Sequence, residues 1–237
     1  MPDNAIYHIA RALSRLEHRP FPFELNAVTR DYFRRRAERE TGQTAADMKA
    51  ILLPKPDPAA IARLSTDARY NSTMRTTCVA TRLNAGHANN ALPQTAQAIV
   101  NCRILPGHSP EEIRQALIGI FADPKVTVRY MSDAGAIADR APDRRGFPPI
   151  ALRPDVLKPL EKVADEMWPG APVLANMETG ASDSIYTMAA GLPTYGINGT
   201  AIDQEDIRAH GKDERVRVSS YYDGVDFFYR YLKALGG

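Results

Sequence analysis

Two β-forming runs, joined by a glycine/asparagine turn and followed at once by a capped helix, constrain this chain most. Residues 73–84 carry the β-formers Thr76, Thr77, Val79 and Thr81. A turn through Gly86, Asn89 and Asn90 follows. Residues 94–105 then alternate, with Ala96, Ala98, Val100, Cys102 and Ile104 on one face and Gln97, Ile99, Asn101 and Arg103 on the other. Pro106-Gly107 stops this run. Ser109, with Glu112 three residues on, makes a capping box ahead of the helical stripe Ile113, Leu117 and Ile120. Val126, Val128 and Tyr130 read as one more short strand. A period of two that yields to 3.6 across a Pro-Gly stop is a hairpin feeding a helix. With the third strand it is a split β-α-β unit lacking its first strand.

The flanking segments complete an α/β reading. Asp3 is placed to cap a helix carrying Ile6, Ile9, Ala10, Leu13 and Leu16, which Pro20 and Pro22 end. Residues 27–64 form a helical insert of two or three short helices broken by Gly42, Pro54, Pro56 and Pro58. Within it, Arg34-Arg35-Arg36 with Glu38 and Glu40 reads as a solvated, charge-paired helix face. Residues 133–150 are polar, contain Gly135, Pro142, Gly146, Pro148 and Pro149, and mark a linker.

Beyond the linker the pattern predicts a helix over 153–167, a strand over 171–177 and a loop entering a helix over 180–190. A strand over 193–197, a loop to about Glu214 and a closing helix over 218–235 follow, the last with Val225, Phe228, Tyr229 and Leu232 on one face. Strand and helix alternate as in α/β layers, but so few strands make no free-standing sheet. The expectation is a domain over 1–140, with its insert at 27–64, and a second over 145–237 that completes a sheet supplied by other polypeptide.

Composition excludes several classes of function. A net charge of +2 supplies no electrostatic pull on nucleic acid or an anionic membrane. No apolar stretch approaches the length of a membrane span, and no signal peptide opens the chain. The compartment stays open between cytoplasm and periplasm. The two cysteines, Cys78 and Cys102, are too few for a disulfide framework. Each is a small buried hydrophobe, or the two pair if their strands are neighbours.

Five residues can carry chemistry. His210 stands in a loop beside Gly211 and is either a surface or cap residue or a metal ligand; as a ligand it needs co-ligands from elsewhere, because no H-x-x-x-H, H-x-D or C-x-x-C lies nearby. Arg103 interrupts a partly apolar strand, where a long cation is costly unless paired. With Asn90 it either grips a carboxylate or forms a salt bridge within the sheet beside a turn asparagine. His87 in the same turn is a proton donor, an oxyanion donor or a solvent-facing residue. Gly180 opens a strand-to-helix turn whose N–H groups can meet an anion, although Ser182 or Asp183 can equally be a plain N-cap. There is no G-x-S-x-G, and Gly196-Ile197-Asn198-Gly199 is no dinucleotide fingerprint.

Three segments, in order, resemble the M20 family of zinc metallopeptidases and aminoacylases, in its aminoacylase and carboxypeptidase branch. They are residues 86–94 continuing through Val100-Asn101-Cys102-Arg103-Ile104-Leu105-Pro106-Gly107, then Glu178-Thr179-Gly180-Ala181-Ser182-Asp183, and His210-Gly211-Lys212-Asp213-Glu214-Arg215-Val216. The resemblance covers essentially the whole chain. It implies a lid or dimerisation domain with a ferredoxin-like sheet, followed by the C-terminal part of a zinc-binding α/β catalytic domain.

It implies further that Asn90 and Arg103 hold a substrate carboxylate, that Gly180 borders the substrate and that His210 binds one of two zinc ions. By the same resemblance, lids are expected to pair into a homodimer, and the expected substrates are peptides or N-acyl amino acids. The family's H-x-D motif, bridging aspartate, paired glutamates and lid histidine fall upstream of such a segment, so this chain holds no general base and is expected to be inactive alone. His87 does not take the lid histidine's role. The competing readings are a non-catalytic dimerisation module and a metal-free carboxylate-binding protein.

Overall fold

The computed structural model describes residues 3–147, 150–203 and 206–236. Contacts divide the chain into two units, Met1–Pro149 with Ala175–Ala181, and Ile150–Leu174 with Ser182–Gly237. The Pro148-Pro149 pair of the linker lies outside the described residues.

The first unit opens with α1 (Ala5–His18). Asn4, rather than Asp3, is its N-cap, accepting the Ile6 N–H at 2.8 Å. The helix starts one residue later than expected, and the freed Asp3 carboxylate instead meets Lys125 Nζ at 2.6 Å and His8 Nε2 at 3.1 Å. Ala12 and Leu16 of α1 are buried with Ile113, Leu117 and Phe121 of α6 (Pro110–Phe121). The α6 cap is the predicted one: Ser109 Oγ accepts the Glu112 N–H, and Glu112 Oε2 accepts the Ser109 N–H.

Against these helices lies an antiparallel hairpin of β1 (Thr77–Ala85) and β2 (Ala96–Arg103). Val100, Cys102 and Ile104, the face set by the alternation, pack against the α1–α6 core with Cys78. Cys78 is directly opposite Cys102, with Cα atoms 4.1 Å apart, and the two are joined as a disulfide. The strands are neighbours, so the pairing left open by the sequence is the one adopted.

The expected third strand differs in its backbone. Val126 and Val128 pack against the same core, but the Val128 carbonyl accepts from Arg114 Nη1 at 2.9 Å. A side chain thus takes an acceptor that a ladder would use. The next residues, β3 (Tyr130–Met131), pair with β4 (Ile137–Ala138) in a separate two-stranded ladder.

The helical insert has its own core of Phe33, Met48, Ile51, Ala60, Leu64 and Met74. Its helices are α2 (Ala27–Ala37), α3 (Gly42–Ala50), α4 (Pro58–Leu64) and α5 (Ala68–Met74). The last is not expected from the sequence, since β-formers begin at Thr73. Asp67 caps it by accepting the Arg69 N–H at 2.8 Å, and the buried Met74 holds its end in the core. The arginine run is paired as expected: Arg34 and Arg35 with Asp31, Arg36 with Glu40. Arg75 is buried and ties the insert to the α1–α2 linker, donating to the Phe21 carbonyl at 3.0 Å and to Ser65 Oγ at 3.1 Å.

The second unit contains α7 (Pro154–Met167), α8 (Ser184–Ala189) and α9 (Val218–Gly236). Helix α9 packs on α7. Phe227 lies 5.5 Å from the Trp168 ring and stacks on Tyr231, whose hydroxyl donates to the Val156 carbonyl at 3.2 Å. Among the described residues, 171–177 and 193–197 join no ladder. The buried face of α9 is Ser220, Gly224, Phe227 and Tyr231, while the apolar face read from the sequence, Val225, Phe228, Tyr229 and Leu232, is exposed.

Candidate functional site

Arg103 ends β2 opposite Thr77. It lies on the outward face of the hairpin, exposed, and no carboxylate pairs with it among the described residues. Among the described residues, the internal salt bridge that would have explained this cation is therefore not found. Asn90 and His87 sit in the exposed turn beyond the last ladder pair, Ala85 with Ala96, a turn entered through Gly86 at φ +79°. Seven residue steps separate Ala96 from Arg103, about 23 Å of extended strand at roughly 3.3 Å per residue. The hairpin thus holds Asn90 and Arg103 at opposite ends, rather than closing them on one carboxylate within a single chain.

Gly180 belongs to a segment of the first unit whose burial alternates. Ala175, Met177 and Thr179 are half-buried, while Asn176, Glu178 and Gly180 are exposed. The N–H groups of Thr179 and Gly180 both donate to Glu178 Oε1 at 3.0 Å. The N–H pair expected to meet an anion is engaged by a carboxylate of its own chain. Asp183, weighed as an N-cap, precedes α8 without a side-chain cap bond.

In the second unit His210 is exposed and adopts a left-handed backbone at φ +64°. A non-glycine residue there costs conformational energy and stands out where it occurs. The sequence placed the adaptable backbone at Gly211. The structure shows a different reason for that glycine: a Cβ on it would lie 3.0 Å from the Arg208 carbonyl oxygen. The turn is braced by charge. Arg208 pairs with Asp206 and Asp213, and Arg215 reaches Asp206 at 2.7 Å. Arg208 and Arg215 hold the Asp206 carboxyl below its ordinary range. These bracing residues escape a sequence reading; the recurrent spacing of Asp206, Arg208, Asp213 and Arg215 is the signal. A cleft of about 190 Å³ beside this knuckle is lined by Ala201, Asp203, Asp206, Arg215 and Arg217.

The donor set does not amount to a metal site. Among the described residues no three His, Cys, Asp or Glu side chains converge where an ion could sit. Zinc takes three or four protein ligands, so His210 alone does not fit one and no metal-dependent step follows from this chain's residues. No helix among the described residues is long and apolar enough to cross a membrane.

The fold has a solved counterpart in the M20 family. The crystal structure of the M20 family metallo-carboxypeptidase Sso-CP2 from Sulfolobus solfataricus superposes with a TM-score of 0.58 at 16% identity, over 98% of this chain and 52% of that one. The peptidase dimerisation domain model matches residues 2–128, and the model for peptidase family M20/M25/M40 matches residues 73–234. The chain belongs to the M20/M25/M40 peptidase family.

The human N-fatty-acyl-amino acid synthase/hydrolase PM20D1 is 27% identical over 235 residues, covering 98% of this chain and 45% of that protein. Its Xenopus tropicalis counterpart is 24% identical over 98% of this chain and 43% of its own length. The probable carboxypeptidase S-like 2 of Dictyostelium discoideum is 25% identical over 72% of this chain and 31% of its own. The chain spans less than half the length of these relatives.

Proposed function

We propose that this chain forms the lid and the C-terminal part of the catalytic domain of an amide hydrolase. Its substrates are peptides or N-acyl amino acids bearing a free carboxylate. The observation that carries the reading is Arg103, an exposed guanidinium with no carboxylate partner among the described residues, on the outward face of a hairpin within the matched dimerisation domain. The relatives' names support the substrate class, since a fatty-acyl amino acid hydrolase and a carboxypeptidase both act on an amide next to a carboxylate.

In this reading the first unit is the lid and its outward surface supports a homodimer. A carboxylate held by both Arg103 and Asn90 then takes one residue from each copy, because one hairpin separates them. Gly180 borders the substrate, His87 approaches it from the turn, and His210 supplies one donor to a zinc site completed by other parts of the protein. If a zinc pair were held there, with His210 as one ligand, it would supply an activated water; this chain's own contribution would be recognition and one imidazole.

Assays of N-acyl amino acid hydrolysis test the reading. The 237-residue chain alone is expected to show none, with or without added zinc. The complete protein is expected to hydrolyse them and to lose zinc and activity on His210→Ala. Turnover by the isolated chain, or an unaffected His210→Ala variant, contradicts the assignment.

A further inference from the structure

The segment 175–181 clusters with the first unit, although the residues on both sides of it belong to the second. Its anchors are in the helical insert. Asn26 Nδ2 lies 3.6 Å from Met177 Sδ, and the hydroxyls of Ser72 and Thr179 lie 3.4 Å apart. These bonds join residues 151 and 107 positions apart in sequence. The alternating burial is what such anchoring produces. An extended segment with Met177 and Thr179 turned toward the insert must present Asn176, Glu178 and Gly180 outward. Both anchors are fixed by other bonds. Asn26 is the N-cap of α2, its Oδ1 accepting the Thr29 N–H at 2.9 Å, and Ser72 on α5 donates to the Arg69 carbonyl at 3.0 Å.

We infer that the helical insert α2–α5 is a positioning element for the substrate loop, with Asn26 and Ser72 setting the face that carries Gly180. The inference rests on the proposed function for what the loop does, but not for how the loop is held. Asn26 and Ser72 touch no reacting group in this account. They act through Met177 and Thr179, so the insert governs how well a substrate is received rather than the chemical step. Glu178, whose carboxylate occupies the Thr179 and Gly180 N–H groups, is oriented by the same anchoring.

Two measurements test this separately. The first is hydrogen–deuterium exchange over 175–181 in the 237-residue chain. Asn26→Asp keeps the cap acceptor and removes the amide donor, and Ser72→Ala removes the hydroxyl. The pair is expected to raise exchange there roughly five- to tenfold, the loss of one or two modest hydrogen bonds, while α7 and α9 exchange as before. Unchanged exchange over 175–181 overturns the inference.

The second is steady-state kinetics on N-acyl amino acids with the complete protein. The double variant is expected to raise KM about fivefold or more with kcat nearly kept, and Ser72→Thr to behave as wild type. A fall in kcat alone, or a loss equal for Ser72→Ala and Ser72→Thr, overturns it. A complete wild-type protein inactive on every such substrate removes the proposed function, and the exchange experiment still decides the anchoring.

Discussion

Replacing Gly224 by alanine sets two opposing effects against each other. Gly224 lies inside α9, where alanine is worth about 1 kcal/mol over glycine in helix propensity. Yet a Cβ at this position would lie 2.5 Å from Thr200 Oγ1, 3.4 Å from Thr200 N and 3.5 Å from the Gly199 carbonyl carbon. The Thr200 hydroxyl can rotate away, but the 199–200 backbone already runs so close over this face of α9 that a Cβ on Gly199 would collide with the Phe227 ring. The segment crosses α9 over Gly224 and Phe227, which share one face of the helix. The Thr200 N–H is also held by Asn198 Oδ1 at 2.8 Å.

Overpacking of this kind costs about 1–3 kcal/mol, so a net loss of about 1 kcal/mol is expected after the helical gain. Urea unfolding followed by the fluorescence of Trp168, the single tryptophan, reports on this unit through its contact with Phe227. Gly119, in the first unit and followed by far-UV circular dichroism instead, is the control. It is an exposed glycine within α6, and a methyl group placed on it would meet no atom within 4 Å, so Gly119→Ala should stabilise by about 0.5–1 kcal/mol. If Gly224→Ala stabilises as much as Gly119→Ala, the close crossing of α9 by residues 199–200 is refuted.

Two further outcomes follow from the first unit. The chain purified under oxidising conditions should present no titratable thiol, and Cys78→Ser/Cys102→Ser should lose about 3.5 kcal/mol, the loop-closure value for a span of this size; two reactive thiols in the native chain would contradict the pairing. His8 is clamped by Asp123 at 2.5 Å and by Asp3, and His108 by Glu24 at 2.8 Å and by Glu112, so both imidazoles titrate above their ordinary value. A raised folded pKa contributes stability that is complete below the unfolded value near 6.5 and is lost as pH rises through the folded one. Urea midpoints between pH 6 and pH 9 should therefore fall, and His8→Gln/His108→Gln should flatten that decline; an identical slope in the variant would refute it.

The parts of the fold that were readable are those set by local chemistry. Ser109 and Glu112 satisfy each other's N–H groups whatever the rest of the chain does, and the alternation through Val100, Cys102 and Ile104 finds the core because one hairpin face must. What could not be read depends on distant partners. Val128 joins no ladder and its carbonyl accepts from Arg114 instead, a partner no periodicity reveals. In α9 the large residues picked out a face of Val225, Phe228, Tyr229 and Leu232, but the helix packs by a small-residue notch at Ser220 and Gly224 beside Phe227 and Tyr231. Counting bulk misses a contact made by the lack of it.

The candidate site divides in the same way. Its residue types were visible in sequence, while the separation of Asn90 from Arg103 needed the register Thr77–Arg103 to be seen. The outward aim of Gly180 needed Asn26 and Ser72, which lie far away in sequence.

The most direct test of the account is the preference of the complete protein for a free carboxylate. The quantity is the ratio of kcat/KM for an N-acyl amino acid to that for its methyl ester, measured for wild type and Arg103→Gln. With Arg103 as the carboxylate's partner, the variant should lose roughly ten- to a hundredfold of that ratio, the worth of a charge-assisted pair, with hydrolysis of the ester little changed. An Arg103→Gln enzyme that still favours the free acid as strongly as wild type would contradict the account.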